Sequence, residues 1–139
     1  NGLGQLAREA ALAGLAPRLR ALAGGDPEAV RGEHVTVAAG EGDGAAIAIM
    51  RQFAWWLALG LANLANAFDP AIIVLGGGLI QAGEVLVAPV REAFTDLVEA
   101  PDQRRVTIVA AHLGERAGAT GAALLAAGAN GRRGRQSAH

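Results

Sequence analysis

The sequence predicts an α/β fold of parallel strands with packed helices, and three stretches carry that expectation. Residues 45–68 place apolar side chains three and four apart throughout, the repeat of a helix. Residues 71–75 form a short β-branched run that ends in three consecutive glycines. Residues 106–110 form a second such run, and a helical pattern from 84 to about 98 separates the two. Strand, helix, strand is a βαβ unit with parallel strands and a right-handed crossover. The absence of apolar–polar alternation suits strands buried on both faces.

Composition bounds what such a fold can do. A length of 139 residues makes one domain or part of a larger one, and 52% hydrophobic residues supply a core. The charged fraction, 18%, lies below the usual ~25%. Part of the surface is therefore expected to be covered by structure outside these residues. A net charge of −1 gives no field that selects nucleic acid. The chain has no cysteine, which excludes disulfides, thiol catalysis and cysteine-ligated zinc within it. A cytoplasmic location is the default expectation. No basic and apolar leader precedes the first helix, so no signal peptide is expected within these residues. The start at Asn1 suggests a trimmed chain or a piece of a longer one. The most apolar run, 53–64, is short for a bilayer, and no membrane partner is expected.

Taken in order, residues 3–23 read as helical. Leu12, Leu15, Leu19 and Leu22 form the expected stripe, with Pro17 kinking or splitting the segment. The stretch GGDPE, 24–28, breaks it. Thr36 is expected to cap a short helical turn through Glu41, Gly42 and Gly44 to end that turn, and Asp43 to cap the next helix. In that long helix Ile47, Met50, Ala54, Leu57, Leu61, Leu64 and Phe68 form one stripe. Ile49, Phe53, Trp56 and Gly60 form a second, and Trp55 and Leu59 occupy the third side. A helix apolar on most sides is expected to be buried on most sides. The other elements here are too few to surround it, so the cover is expected from another domain, a second subunit or both. Asp69-Pro70 stops it, because a residue before proline resists helical angles. In the 84–98 helix Leu86, Val90, Phe94 and Leu97 share a face, and Pro89 suggests a fresh start or a kink. Residues 118–127 read as a small-residue helix, and 128–139 as a disordered basic tail.

Gly76, Gly77 and Gly78 are the leading candidate site. Glycines at the carboxyl end of a parallel strand let a ligand approach the backbone, and they also serve a tight strand-to-helix turn. The pattern alone leaves both readings open. The spacing of a dinucleotide fingerprint fails at Gln81, and a chain without lysine has no P-loop. Gly114, Gly118 and Gly121 allow close helix packing or contact with a flat ligand. His34, His112 and His139 lack a second ligand at metal spacing. His34 and His139 read as solvated and His112 as structural. Asp69 reads as a helix end, and Glu84 as a solvent-facing charge near a helix start. Ser137, the only serine, lies in the tail, so no Ser/His/Asp set forms. Trp55 and Trp56 read as core rather than as a sugar platform, and Arg132, Arg133 and Arg135 as a solvated tail.

The stretch GLANLANAFDPAIIVLGGGLIQAGEVLVAPVREAF, 60–94, resembles the C-terminal half of repressor–ORF–kinase (ROK) family proteins, most of all the bacterial glucokinases. HLGERAGATGAALLA, 112–126, resembles the family's closing glycine-rich segment, and EHVTVAAGEGDGAAI and NGLGQLAREA also have counterparts there. The resemblance covers about residues 1–127. It implies a partial actin-like (ribonuclease-H-like) ATPase lobe, with 1–127 a C-terminal lobe fragment and 128–139 outside it. It implies phosphoryl transfer from ATP, with Mg²⁺, to a hexose hydroxyl, glucose being the expected sugar. Gly76, Gly77 and Gly78 match the family's adenosine-side turn, and Gly118 and Gly121 would support the same pocket. The family's phosphate loop, catalytic aspartate, sugar-contacting glutamates and zinc cluster have no counterpart in these residues. No catalytic or metal residue is therefore assigned, a structural zinc is expected in the preceding part, and the fragment alone is expected to be inactive. A homodimer through this lobe is also implied. Two alternatives stand beside the kinase: a sugar-responsive, DNA-binding repressor of the same family, and a non-catalytic dimerisation module.

Overall fold

Proline has no N–H to donate, so it starts a helix more readily than it continues one. Pro17 accordingly divides the N-terminal pattern into α1, Gly2–Leu12, and α2, Pro17–Leu22. The computed structural model describes residues 2–76, 82–98 and 106–111. After a 3-10 turn at Pro27–Ala29 come α3, Gly32–Gly40, and α4, Gly44–Phe68. Then follow strand β1, Ile72–Leu75, helix α5, Glu84–Leu97, and strand β2, Thr107–Ala110.

The expected leucine stripe does not form. Helix α1 buries Leu3, Gly4, Ala7 and Ala11, whereas Leu12 and Leu15 are exposed and only Leu19 is fully enclosed. The chain breaks at Gly14, which takes φ +74°, and α2 restarts in a different phase. Nor does Thr36 cap a helix. It lies inside α3, where its hydroxyl donates to the Gly32 carbonyl at 3.3 Å. The cap is built on His34 instead. Its Nδ1 accepts from the Arg31 N–H at 3.0 Å, and its own N–H donates to the Arg31 carbonyl at 3.1 Å. His34 is thus a half-buried structural residue and not a solvated loop residue.

Helix α4 starts as its sequence predicts, with the Asp43 carboxylate accepting from the Ala46 N–H at 2.9 Å. Its buried face is short-chained: Ala46, Ile49, Met50, Ala54, Ala58, Leu61, Ala62 and Ala65. That face packs against α5, α3 and α1. Trp55, Trp56, Leu64 and Phe68 are exposed, Phe68 by 76%, so the described residues alone do not bury this helix on most sides. The two tryptophans are not core; they meet each other edge to face at a 4.9 Å centroid distance. By length and composition alone α4 is long and apolar enough to cross a membrane. Its buried face packs against three other helices. Asp69 ends it in left-handed backbone, φ 46° and ψ 53°, with its N–H on the Ala65 carbonyl at 2.9 Å. Asp is one of the few residues that tolerate this region, and Pro70 bars the ordinary helical alternative.

Strands β1 and β2 pair in parallel, Ile72 opposite Thr107 and Leu75 opposite Ala110. Side chains alternate across the sheet. Ile73, Leu75 and Ile108 join the core, while Ile72 and Val74 are each 59% exposed and Thr107 is exposed too. Burial on both faces, as expected from the sequence, is therefore not met among the described residues. Helix α5 buries Leu86, Val87, Val90 and Phe94, close to its expected face. Pro89 sits inside this continuous helix and starts no new one. Arg91 ties the helix to the sheet: Nε donates to the Ile108 carbonyl at 2.8 Å, and Nη1 to the Glu84 carboxylate at 2.7 Å. The expected helix 118–127 and tail 128–139 lie outside the described residues.

Candidate functional site

In open α/β sheets ligands sit beyond the carboxyl ends of the strands, because the chain leaves that edge through backbone-rich turns. Here the two strands end side by side, and the Ala111 N–H extends the ladder to the Leu75 carbonyl at 2.9 Å. Gly76 leaves β1 at this edge and is exposed. Gly77 and Gly78 lie outside the described residues, as do Gly114, Gly118, Gly121, His112, His139, Ser137 and the arginines of the tail.

Two glycines bracket the turn, and they are needed for different reasons. Gly83 caps α5 with φ 54° and ψ −142°, and its carbonyl accepts from the N–H groups of Leu86 at 3.2 Å and Val87 at 3.0 Å. A side chain is strained in that backbone region. Gly76 does not adopt left-handed backbone, and a Cβ added to it meets no atom within 4 Å. Among the described residues, neither conformation nor packing demands a glycine there. Gly83→Ala is accordingly expected to cost about 1–2 kcal/mol. Gly76→Ala should stay within about 0.5 kcal/mol of the parent. Urea unfolding of both variants checks the contrast.

The charged groups near this turn are engaged or dispersed. Glu84 opens α5, where a negative charge is favoured, and is held by Arg91. Asp69 closes α4. Among the described residues no three His, Asp or Glu side chains gather closely enough to hold a metal ion. The described residues therefore do not fit a Mg²⁺ or zinc site, and no step is derived through a metal. Among the described residues two open grooves lie away from the turn. One of about 310 Å³ lies between α4 and α5 with Arg51, Trp55, Glu92 and Asp96 in its lining. The other, about 290 Å³, lies between α5 and β2 beside Arg91, Thr95 and Thr107. Neither includes Gly76.

Gly83 and Arg91 escaped the reading of the residues. Both left signals: a glycine directly before the acidic start of a helix, and an arginine two turns beyond that acid on the same face.

The chain matches the ROK family over residues 6–129. It is 39% identical over 109 residues to a glucokinase of Streptomyces coelicolor, a match covering 78% of this chain and 34% of that protein. It is 36% identical over 101 residues to a glucokinase of Thermotoga maritima, covering 73% of this chain and 32% of that one. Among solved structures it resembles a ROK family glucokinase from Streptomyces griseus in complex with glucose and AMPPNP. The TM-score is 0.81 at 36% identity, over 88% of this chain and 40% of the other. The chain thus spans about a third of the length of the curated relatives it matches. The architecture is that of an actin-like ATPase fold, with parallel strands and packed helices.

Proposed function

The chain belongs to the ROK family, and on that premise we propose that it is the C-terminal, ATP-binding lobe of an ATP-dependent hexose kinase of the glucokinase type. One observation carries the reading: Gly76 is a glycine that the described residues around it do not require, at the strand edge where α/β folds take ligands. Its bare backbone would let the adenosine of ATP lie close, where a Cβ would stand in the way. Gly77 and Gly78 are assigned the same role. Bound ATP would supply the phosphoryl group, and these residues hold and orient its nucleoside end. A hexose, glucose first, is the proposed acceptor for the whole protein, and the cytoplasm its compartment. The nucleotide in the similar Streptomyces griseus structure supports an ATP-like ligand. The relatives named as glucokinases favour the kinase over a family repressor. Exposed Trp55, Trp56, Leu64 and Phe68 support a further, assembling role for this lobe.

Isothermal titration of ATP into the chain and into Gly76→Val tests the reading. The parent is expected to bind weakly, and the variant to lose at least about tenfold, or about 1.4 kcal/mol, without unfolding. Equal binding by both contradicts it.

A further inference from the structure

Among the described residues the sheet has two strands, so each strand has an edge away from its neighbour. Such an edge is a row of backbone N–H and C=O groups that another chain can pair with. The ladder fixes which groups of β2 face that way. The N–H groups of Thr107 and Ala111 donate to β1, on the Ala71 carbonyl at 3.0 Å and the Leu75 carbonyl at 2.9 Å. Backbone direction alternates along a strand, so the N–H and C=O groups of Ile108 and Ala110 point away from β1.

The composition of β2 does nothing to deter pairing. Residues 106–110 are uncharged, lack proline and are mostly β-branched, the pattern of segments that add to other strands. Nor does bulk fill the edge, since an open groove of about 290 Å³ lies beside Val106, Thr107 and Ile108. One side chain stands in the way. Arg91 Nε donates to the Ile108 carbonyl at 2.8 Å, which occupies an acceptor that an incoming strand would need. Arg91 Nη1 donates to the Glu84 carboxylate at 2.7 Å, which holds the guanidinium in place. A guanidinium has donors and no acceptor, so it offers an incoming backbone N–H nothing in return.

We propose that Arg91 guards the edge of β2 against strand addition by a second copy of this chain, with Glu84 holding it there. A second copy brings the same uncharged strand, and a two-fold contact uses the same edge on both sides. Each copy then also brings its Arg91 to the contact, where like charges oppose the pairing. The guarding role is independent of the nucleotide reading.

The test compares the 139-residue chain with Arg91→Met, which keeps a long, helix-favouring side chain and removes the donors. Sedimentation velocity over a concentration series reads association, and amide hydrogen exchange reads the Ala110 N–H. Arg91→Met is expected to associate one step beyond the parent at concentrations about tenfold lower, with its helical circular dichroism unchanged and the Ala110 amide newly protected. Arg91→Lys, which keeps a charge and a donor, should stay close to the parent. If Arg91→Met loses its helical signal, Glu84→Ala is read in its place. It leaves the guanidinium but removes the carboxylate that holds it, and should shift association the same way by about threefold. A folded variant that keeps the parent's association state at every concentration overturns the proposal. So does added association without protection at Ala110, which would put the new contact elsewhere.

Discussion

Leu86→Ala is expected to destabilise the chain by about 3 kcal/mol and to lower its melting temperature by about 10 °C. Leu86 is fully enclosed on α5, the helix that packs most extensively on α4. Removing its side chain leaves a cavity, and the cost depends on how far the neighbours can fill it. The buried face of α4 is mostly alanine, with few long side chains to swing in. Leu15→Ala removes a similar side chain that is 71% exposed, and should stay within about 0.5 kcal/mol. Calorimetry on the pair checks this. Equal losses would mean that the α4–α5 contact is not the centre of the core.

The second large effect is an absence of turnover. The 139-residue chain, given ATP, Mg²⁺ and glucose, is expected to form no sugar phosphate above background. Phosphoryl transfer needs an acceptor held in line, a group that takes its proton, and cations that neutralise the phosphates. Among the described residues no acidic cluster can hold a cation. The acids nearest the glycine turn in sequence are committed, Glu84 to Arg91 and Asp69 to the end of α4. Binding one side of ATP lowers no barrier by itself. A coupled dehydrogenase assay reads the outcome, and measurable turnover would place catalytic groups within these residues.

The legible parts of the fold were those where one local rule acts alone. Two β-branched runs around a helical pattern specified the parallel pair, and Asp43 and Asp69-Pro70 marked the ends of α4. Leu86, Val90 and Phe94 marked the face of α5. Phase was lost where apolar residues lie on every side. In α4 periodicity cannot choose a face, and close helix packing selected the alanines while leaving both tryptophans outside. In the N-terminal segment the leucines drew the reading away from Ala7 and Ala11, which are small enough to be enclosed completely. The cap of α3 was hidden because it uses a histidine ring rather than a hydroxyl or carboxylate. The site was legible only as a pair of readings for Gly76. Among the described residues no local reason for a glycine appears there, and the nucleotide role is the proposal made above.

Titrating ATP into the isotope-labelled chain while following its amide resonances tests the nucleotide-facing role of the glycine turn most directly. The largest shifts are expected at Leu75, Gly76, Gly83, Glu84 and Ala111, which surround the carboxyl ends of the strands, with α1 to α3 unmoved. Shifts centred instead on Arg51, Trp55 and Asp96 in the α4–α5 groove, or no shifts at any ATP concentration, would contradict it.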